Sequence, residues 1–361
     1  MALSGFALGD LYAEKPIVQG GMGVGISLSR LAGAVAAEGG IGVISAAHPG
    51  FMEPDFWQNT EEANLRGLTK HIRAAKEAAP HGIVGVNIMC AMNGYEKFVR
   101  CAAKAGADLI ISGAGLPAEL PELVEGSSIK IAPIVSPPKA AKVLLALWDR
   151  RYHRTADMVV IEGPLAGGHL GYSVEEVNAL KTTGYDQQIL EVLEIVKQYE
   201  DKYGRKIPVV FGGGVFSNAD IRHYLSLGLS GVQIASRFVA TEECDADIRY
   251  KQAYIDAKPE DIVLVKSPVG MPGRAINNAF IKQLAKEGRI APTHCVRCIR
   301  KCNPASTPYC ITEALIRAAK GDVDHALLFC GGEIGRIHEL TNVHALLREL
   351  CGYAVPNTKA V

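Results

Sequence analysis

Eight short apolar runs alternate with longer helix-forming stretches, and this alternation restricts the fold more than any other feature of the chain. The runs are Pro16-Ile17-Val18-Gln19 and residues 41–45, 83–88, 108–111, 129–134, 157–161, 208–211 and 231–234. Each is nearly continuous in apolar residues and rich in Val and Ile, the pattern of parallel strands covered on both faces. Helical patterns lie between them at 28–38, 65–79, 95–105 and 219–227. Such an order makes a parallel α/β fold. An open doubly wound sheet gives the same order, but nearly every run here ends in Gly, Ser, Asn, Glu or His. A closed barrel carries its active site on that C-terminal face. The expected fold is therefore α/β: a TIM (β/α)8 barrel over residues 1–240, with a C-terminal cysteine-containing extension over 241–361. The connections 48–64 and 172–186 are longer than minimal loops and are expected to pass over the active-site mouth.

Charge and hydropathy exclude several classes of function. Lys+Arg and Asp+Glu both total 38, so the formal net charge is zero and offers no footprint for nucleic acid or an anionic membrane. No apolar run approaches the roughly 18 residues of a membrane span. The N-terminus lacks a basic stretch before an apolar core, so no signal peptide is expected. The chain reads as soluble and cytoplasmic; barrel enzymes often pair, so a homodimer is one reading of an oligomeric state that the sequence leaves open. Nine cysteines are present; in a cytoplasmic setting a cluster of them speaks for metal or reactive thiols more than for disulfides.

Three glycine-rich turns carry the chemistry. Gln19-Gly20-Gly21-Met22-Gly23 follows the first run and reads either as a ligand-facing turn or as a tight strand-to-helix turn. Gly212-Gly213-Gly214 follows the seventh, with Ser217-Asn218-Ala219-Asp220 as a helix start, and Gln233-Ile234-Ala235-Ser236-Arg237 ends the eighth. Together these reproduce the barrel phosphate site built after strands seven and eight. Neither the dinucleotide GxGxxG spacing nor a P-loop occurs. The segment Glu162-Gly163-Pro164-Leu165-Ala166-Gly167-Gly168-His169-Leu170-Gly171 follows the sixth run. Glycines around His169 let the imidazole approach a planar ligand, as an acid, a base or a hydrogen-bond donor.

The ordered set of these segments resembles the flavin family that contains nitronate monooxygenase (formerly 2-nitropropane dioxygenase) and the FMN-dependent enoyl-acyl-carrier-protein reductase. It extends over about residues 10 to 240 and includes Ala32-Gly33-Ala34, residues 39–44, Gly85-Val86-Asn87-Ile88, Ser112-Gly113-Ala114-Gly115 and residues 231–238. The resemblance implies a TIM barrel with non-covalent FMN. By position, the flavin contacts would be Gly21, Met22, Asn87, Glu162, Gly168, Gly213, Gly214, Ala235 and Ser236, and His169 would be the catalytic residue. The family commonly has Glu-Ala before its Gly-Gly-His, whereas Pro164-Leu165-Ala166 stand here. Residues 266–274 resemble a substrate-side loop of these flavoproteins; a surface turn is the other reading.

The preferred function is oxidation of alkyl nitronates with O2. The alternative is reduction of an enoyl thioester with NAD(P)H as reductant, and a flavin-binding module without turnover is a third reading. In each, a small nitronate or an acyl thioester is the partner and the flavin supplies the hard chemistry. Cys295, Cys298, Cys302 and Cys310 fall within one segment. Their spacing admits an Fe–S cluster or zinc, and it equally admits buried or reactive free thiols.

Overall fold

A computed structural model describes residues 3–353, apart from the side chains of residues 181–183. Eight parallel strands, numbered one to eight in chain order, close into a barrel: Ile17–Gln19, Ile41–Ser45, Ile83–Met89, Leu109–Gly113, Lys130–Val135, Val159–Glu162, Val209–Gly212 and Gly231–Ile234. Strand eight pairs with strand one, Val232 opposite Ile17, which closes the ring. Each predicted run is a strand, displaced by at most a residue or two at its ends.

Side chains alternate between two cores. Val18, Ile41, Val43, Leu109, Ile111, Met158, Val160 and Val210 fill the barrel interior. Their neighbours Ile17, Ile44, Ile110, Val159 and Ile161 pack beneath the helices. Burial on both faces is why the runs show no polar alternation. The helix Ser29–Ala37 lies so close to strand two that a Cβ on Gly42 would stand 1.8 Å from the Ala32 carbonyl oxygen. An antiparallel hairpin of Phe6–Leu8 and Leu11–Ala13, which the sequence pattern did not reveal, adds Phe6 and Leu8 to the interior core. It plugs the N-terminal end, and only the opposite rim is left for a ligand.

The segment beyond Thr241 folds against the barrel. The Asp245 carboxylate accepts from the backbone N–H groups of Leu28 (2.8 Å), Arg30 (3.2 Å) and Leu31 (3.2 Å), so the extension caps the helix at Ser29, whose own N-cap residue is Leu28. The helix Val343–Cys351 buries Leu346, Leu347 and Leu350 in the same core as Leu31 and Val35. Each such leucine contributes about 1.5–3 kcal/mol. Strands Ile262–Lys266 and Pro272–Ile276 form a hairpin, and its second strand pairs with Gly168–His169. A piece of the barrel rim and a piece of the extension thus share one small sheet. Residues 354–361 of the expected second unit lie outside the described residues.

Of the two long connections, one behaves as expected. His48 and Asn64 line the rim cavity, and the helix between them starts early, at Thr60, with Glu61 and Glu62 in its first turn, where carboxylates favour the helix dipole. The expectation for 172–186 is corrected: it holds the helix Val174–Thr183, and none of its residues lines the cavity among those described. A capping box between Ser173 and Glu176 starts that helix. Buried Tyr172 and Tyr185 pin its flanks, Tyr172 donating to the Glu162 carbonyl at 2.8 Å and Tyr185 donating to that of Ser136.

Candidate active site

A cavity of about 660 Å³ opens at the C-terminal rim, within the range of ligand pockets. Gly21, Met22, Asn87, Glu162, Gly168, His169, Gly213, Gly214, Ala235 and Ser236 all line it. Residues read from five separate sequence segments therefore converge on one surface. Gly21 lies so close to the Asn87 side chain that a Cβ there would stand 2.4 Å from the Asn87 Cβ.

At strands seven and eight the lining is mostly backbone. Gly213 and Gly214 have φ of 122° and 92°, values that L side chains rarely adopt. A Cβ on Gly213 would stand 2.9 Å from the Gly163 carbonyl oxygen. Ser217 then caps the helix Asn218–Ser226, and Asp220 accepts from the N–H groups of Phe216 (3.0 Å) and Ser217 (2.8 Å). Gly213 and Gly214 at one strand end and Ala235 and Ser236 at the other make the amide-lined cup suited to phosphate. Beside it, Gln233 lines the cavity with a buried Oε1 that has no hydrogen-bond partner among the described residues. An orphaned buried acceptor calls for a donor from outside the chain, and a heterocyclic ring N–H of the kind a flavin carries supplies one. These residues fit a ligand that joins a phosphate to a planar ring.

His169 stands on the short strand held by the extension. Its Nε2 lies 2.7 Å from Ser267 Oγ, and its ring meets Phe329 edge-on with centroids 4.9 Å apart. Nδ1 has no protein partner among the described residues. Burial lowers the His169 pKa to about 4, so the ring is neutral around pH 7. Glu162 ends strand six, where it accepts from Gly171 N–H (2.8 Å) and Ser136 Oγ (3.0 Å). Burial raises its pKa against the pull of those two donors. The residues Pro164-Leu165-Ala166 are held from the extension. Buried Arg274 donates to the Pro164 carbonyl at 2.8 Å and to that of Ala166. Residues 266–274 are therefore a supporting hairpin for the histidine segment: Ser267 and Arg274 hold it, and Met271 reaches the cavity.

Cys298 lies close enough to Cys295, Cys302 and Cys310 to feel their charge. Among the described residues no group of three or more His, Cys, Asp or Glu side chains is placed to hold a metal ion. Cys298 lines the cavity, Cys295 is exposed, and Cys310 Sγ faces the His294 carbonyl at 3.8 Å. Cys298 and Cys302 pack with apolar residues of the extension, and burial raises the thiol pKa of Cys298 and of Cys310, the latter to about 11. Sequence reasoning also missed His48, a buried cavity residue. Its Nε2 lies 2.8 Å from Thr312 Oγ1, and its Nδ1 lies 3.1 Å from Asn64 Nδ2. Its partner Thr312 lies far along the chain, so no local motif marks the pair.

Comparison with known proteins agrees with this architecture. The family model described as nitronate monooxygenase matches residues 7–352. A probable nitronate monooxygenase of Staphylococcus haemolyticus is 28% identical over 308 residues, 78% of this chain and 81% of that protein. One of Staphylococcus aureus is 26% identical over 301 residues, 78% of this chain and 80% of its own. Among solved structures, FabK from Thermotoga maritima superposes with a TM-score of 0.70 at 24% identity, covering 94% of this chain and 92% of its own. Nitroalkane oxidase from Streptomyces ansochromogenes gives 0.71 at 20% identity, covering 94% and 95%. The structural likenesses establish the barrel with its extension, and the family match spans almost all of the described chain. The protein is an oxidoreductase of the nitronate monooxygenase family.

Proposed function

We propose that the protein holds FMN at the barrel rim and oxidises alkyl nitronates with O2. The amides of Gly213, Gly214, Ala235 and Ser236 would hold the phosphate, and Gln233 Oε1 would accept from a ring N–H. Gly21, Met22, Asn87, Glu162 and Gly168 would complete the wall. FMN supplies a two-electron acceptor that no side chain provides. Probable nitronate monooxygenases among the relatives support this substrate class.

The observation that carries the reading is the place of His169, on the cavity wall with Ser267 at Nε2 and Phe329 against its ring. A ring whose pKa falls to about 4 is a weak base at pH 7 and abstracts a proton from a neutral nitroalkane poorly. It suits a substrate that arrives already deprotonated, as a nitronate does. With Ser267 Oγ donating to Nε2, Nδ1 carries the proton and donates to a nitronate oxygen. Were Nε2 the donor to Ser267, Nδ1 would be a bare acceptor and would repel that anion. The Ser267 contact admits either tautomer, and a bound nitronate would select the one with the proton on Nδ1.

Enoyl thioester reduction is the second reading. It is favoured by the length of the cavity, which runs past His169 to Met92, Ile299, Ile311 and Leu315 beneath the extension. The discriminating assay compares O2 uptake on ethyl nitronate with NADH or NADPH oxidation on crotonyl-CoA. Nitronate-dependent uptake with a histidine-dependent rate supports the first reading; pyridine-nucleotide oxidation alone replaces it with the second. We place the protein in the cytoplasm as a homodimer. All nine cysteines are unpaired, which supports a reducing compartment, and sedimentation tests the dimer.

A further inference from the structure

We propose that Cys295, Cys298, Cys302 and Cys310 hold an iron–sulfur cluster at the edge of the rim cavity. Cys298 is the centre of the group: it lines the cavity and feels the charge of the other three thiols. All four are unpaired, and Cys298 and Cys302 pack in one apolar cluster with Ile299, Tyr309 and Ile311. The barrel, the following helix and the segment itself hold this fold. Asn93, just beyond strand three, donates from its backbone N–H to the Cys298 carbonyl at 2.9 Å and from its side chain to that of Arg297. Glu313 accepts from the N–H groups of Thr293 (3.0 Å) and His294 (2.5 Å). Arg289 donates to the carbonyls of Thr307 (3.1 Å) and Pro304 (3.0 Å). Protein hydrogen bonds thus gather the four cysteines into one neighbourhood.

Their spacing separates two kinds of centre. A single zinc ion, with Zn–S of about 2.3 Å, draws its four sulfurs to within about 4 Å of one another. No group of three or more ligands closes on one ion in that way among the described residues. A cluster places several irons and sulfides between its thiolates, so it holds them farther apart. Four thiols that are near neighbours without closing on a point fit the second kind.

The surroundings suit a centre of negative charge. Between Glu287 and Glu313 the chain carries Arg289, Arg297, Arg300 and Lys301 and no acidic residue, although the whole chain has zero net charge. Cys310 is the N-cap of the helix Ile311–Ala319, and the N–H groups of Thr312 and Glu313 face its sulfur. A separate donor reaches Cys298. The Gly50 N–H donates to Asn64 Oδ1 at 3.1 Å, which turns Asn64 Nδ2 toward His48 Nδ1. Nδ1 accepts, so Nε2 carries the proton and donates to Thr312 Oγ1 at 2.8 Å. The hydroxyl proton of Thr312 is left for the sulfur of Cys298, which it faces. His48, Asn64 and Thr312 are all buried, so water does not set the direction of this relay. Ligation releases the thiol protons, and hydrogen bonds to the sulfurs then stabilise and tune the cluster.

The inference stands apart from the flavin reading and is read by metal content. The test assays iron, acid-labile sulfide, zinc and flavin in protein purified anaerobically and in a second sample reconstituted with ferrous iron and sulfide. Electron paramagnetic resonance after reduction with dithionite reports the cluster itself. Roughly two to four irons per chain, with matching sulfide, are expected, the range for a centre held by four cysteines. Cys298→Ser and Cys310→Ser should each lose most of the iron and the resonance signal. Cys101→Ser, on the helix Tyr95–Ala105 and outside the segment, should keep both. Circular dichroism and flavin content separate loss of metal from loss of fold, and wild-type metal content decides where a variant does not fold. Wild-type protein without iron and sulfide in both samples overturns the proposal, as does zinc in their place. Iron that survives in both Cys298→Ser and Cys310→Ser overturns it as well.

Discussion

The rim at strands six to eight and the rim at strands two to four face the same cavity but are built from different material. The first is glycine backbone and strand-end residues, with φ values at Gly213 and Gly214 that few other residues accept. The second is made of side chains, His48, Asn64 and Asn93, closed by Arg297, Cys298 and Thr312 from the extension. Amides fixed on barrel strands suit an invariant group such as a phosphate. Side chains brought in by a separate segment suit the variable part of a substrate. His169 lies at the junction, on a barrel loop paired with an extension strand.

The largest effect expected from breaking this division is at that junction. His169→Ala should lower nitronate turnover by about 10²–10³-fold, as for loss of one donor to an anion, and leave bound flavin near stoichiometric, measured by O2 uptake and by flavin released on denaturation. Loss of flavin together with activity would place the histidine in the cofactor wall. Gly213→Val attacks the glycine half alone. Its Cβ would crowd the Gly163 carbonyl in a backbone region costing about 1–3 kcal/mol for a non-glycine residue. The purified variant should be colourless yet folded by circular dichroism, and a stoichiometric yellow protein would contradict the phosphate cup.

Gln233→Leu separates cofactor binding from stability. It removes a buried acceptor that no protein group satisfies, so the flavin-free protein should be as stable as the wild type or more so. Flavin binding should weaken by about 1–2 kcal/mol, roughly tenfold or somewhat more, as read by fluorescence titration. Equal loss in both measurements would mean that Gln233 serves the fold.

Smaller still is the pH response. His48 and His169 stay neutral in the folded protein down to about pH 4, because burial disfavours their charged forms. An unfolded histidine takes up its proton near pH 6.5. The unfolded state therefore binds more protons between these values, and stability falls as pH drops through that window. Thermal melts at pH 7 and pH 4.5 should show a larger loss in the wild type than in His48→Asn. Equal losses would remove His48 from the account.

The glycine half was legible in the sequence and the other half was not, for a physical reason. Positive φ and close backbone approach leave a residue-type signature, so Gly213 and Gly214 announced themselves. The eight strands were equally plain, because burial on both faces demands unbroken apolar runs. Ser267 and Arg274 reach the histidine segment only because strand Pro272–Ile276 pairs with Gly168–His169, and no local pattern encodes such a pairing. The cysteine spacing admitted a metal centre and free thiols alike, and among the described residues no group of three or more His, Cys, Asp or Glu is placed to hold a metal ion. Pro164-Leu165-Ala166 looked like a loss at the sequence level; the Arg274 contacts show a different support for the same segment.

The central claim is that His169 presents an oxidisable, already anionic substrate to a flavin held by the glycine cup. Anaerobic mixing of the flavin-loaded protein with ethyl nitronate, NADH and NADPH in separate stopped-flow experiments tests it most directly. The account predicts rapid bleaching of the flavin band by ethyl nitronate, slowed by about 10²-fold or more in His169→Ala. Bleaching by a pyridine nucleotide with none by ethyl nitronate would contradict it.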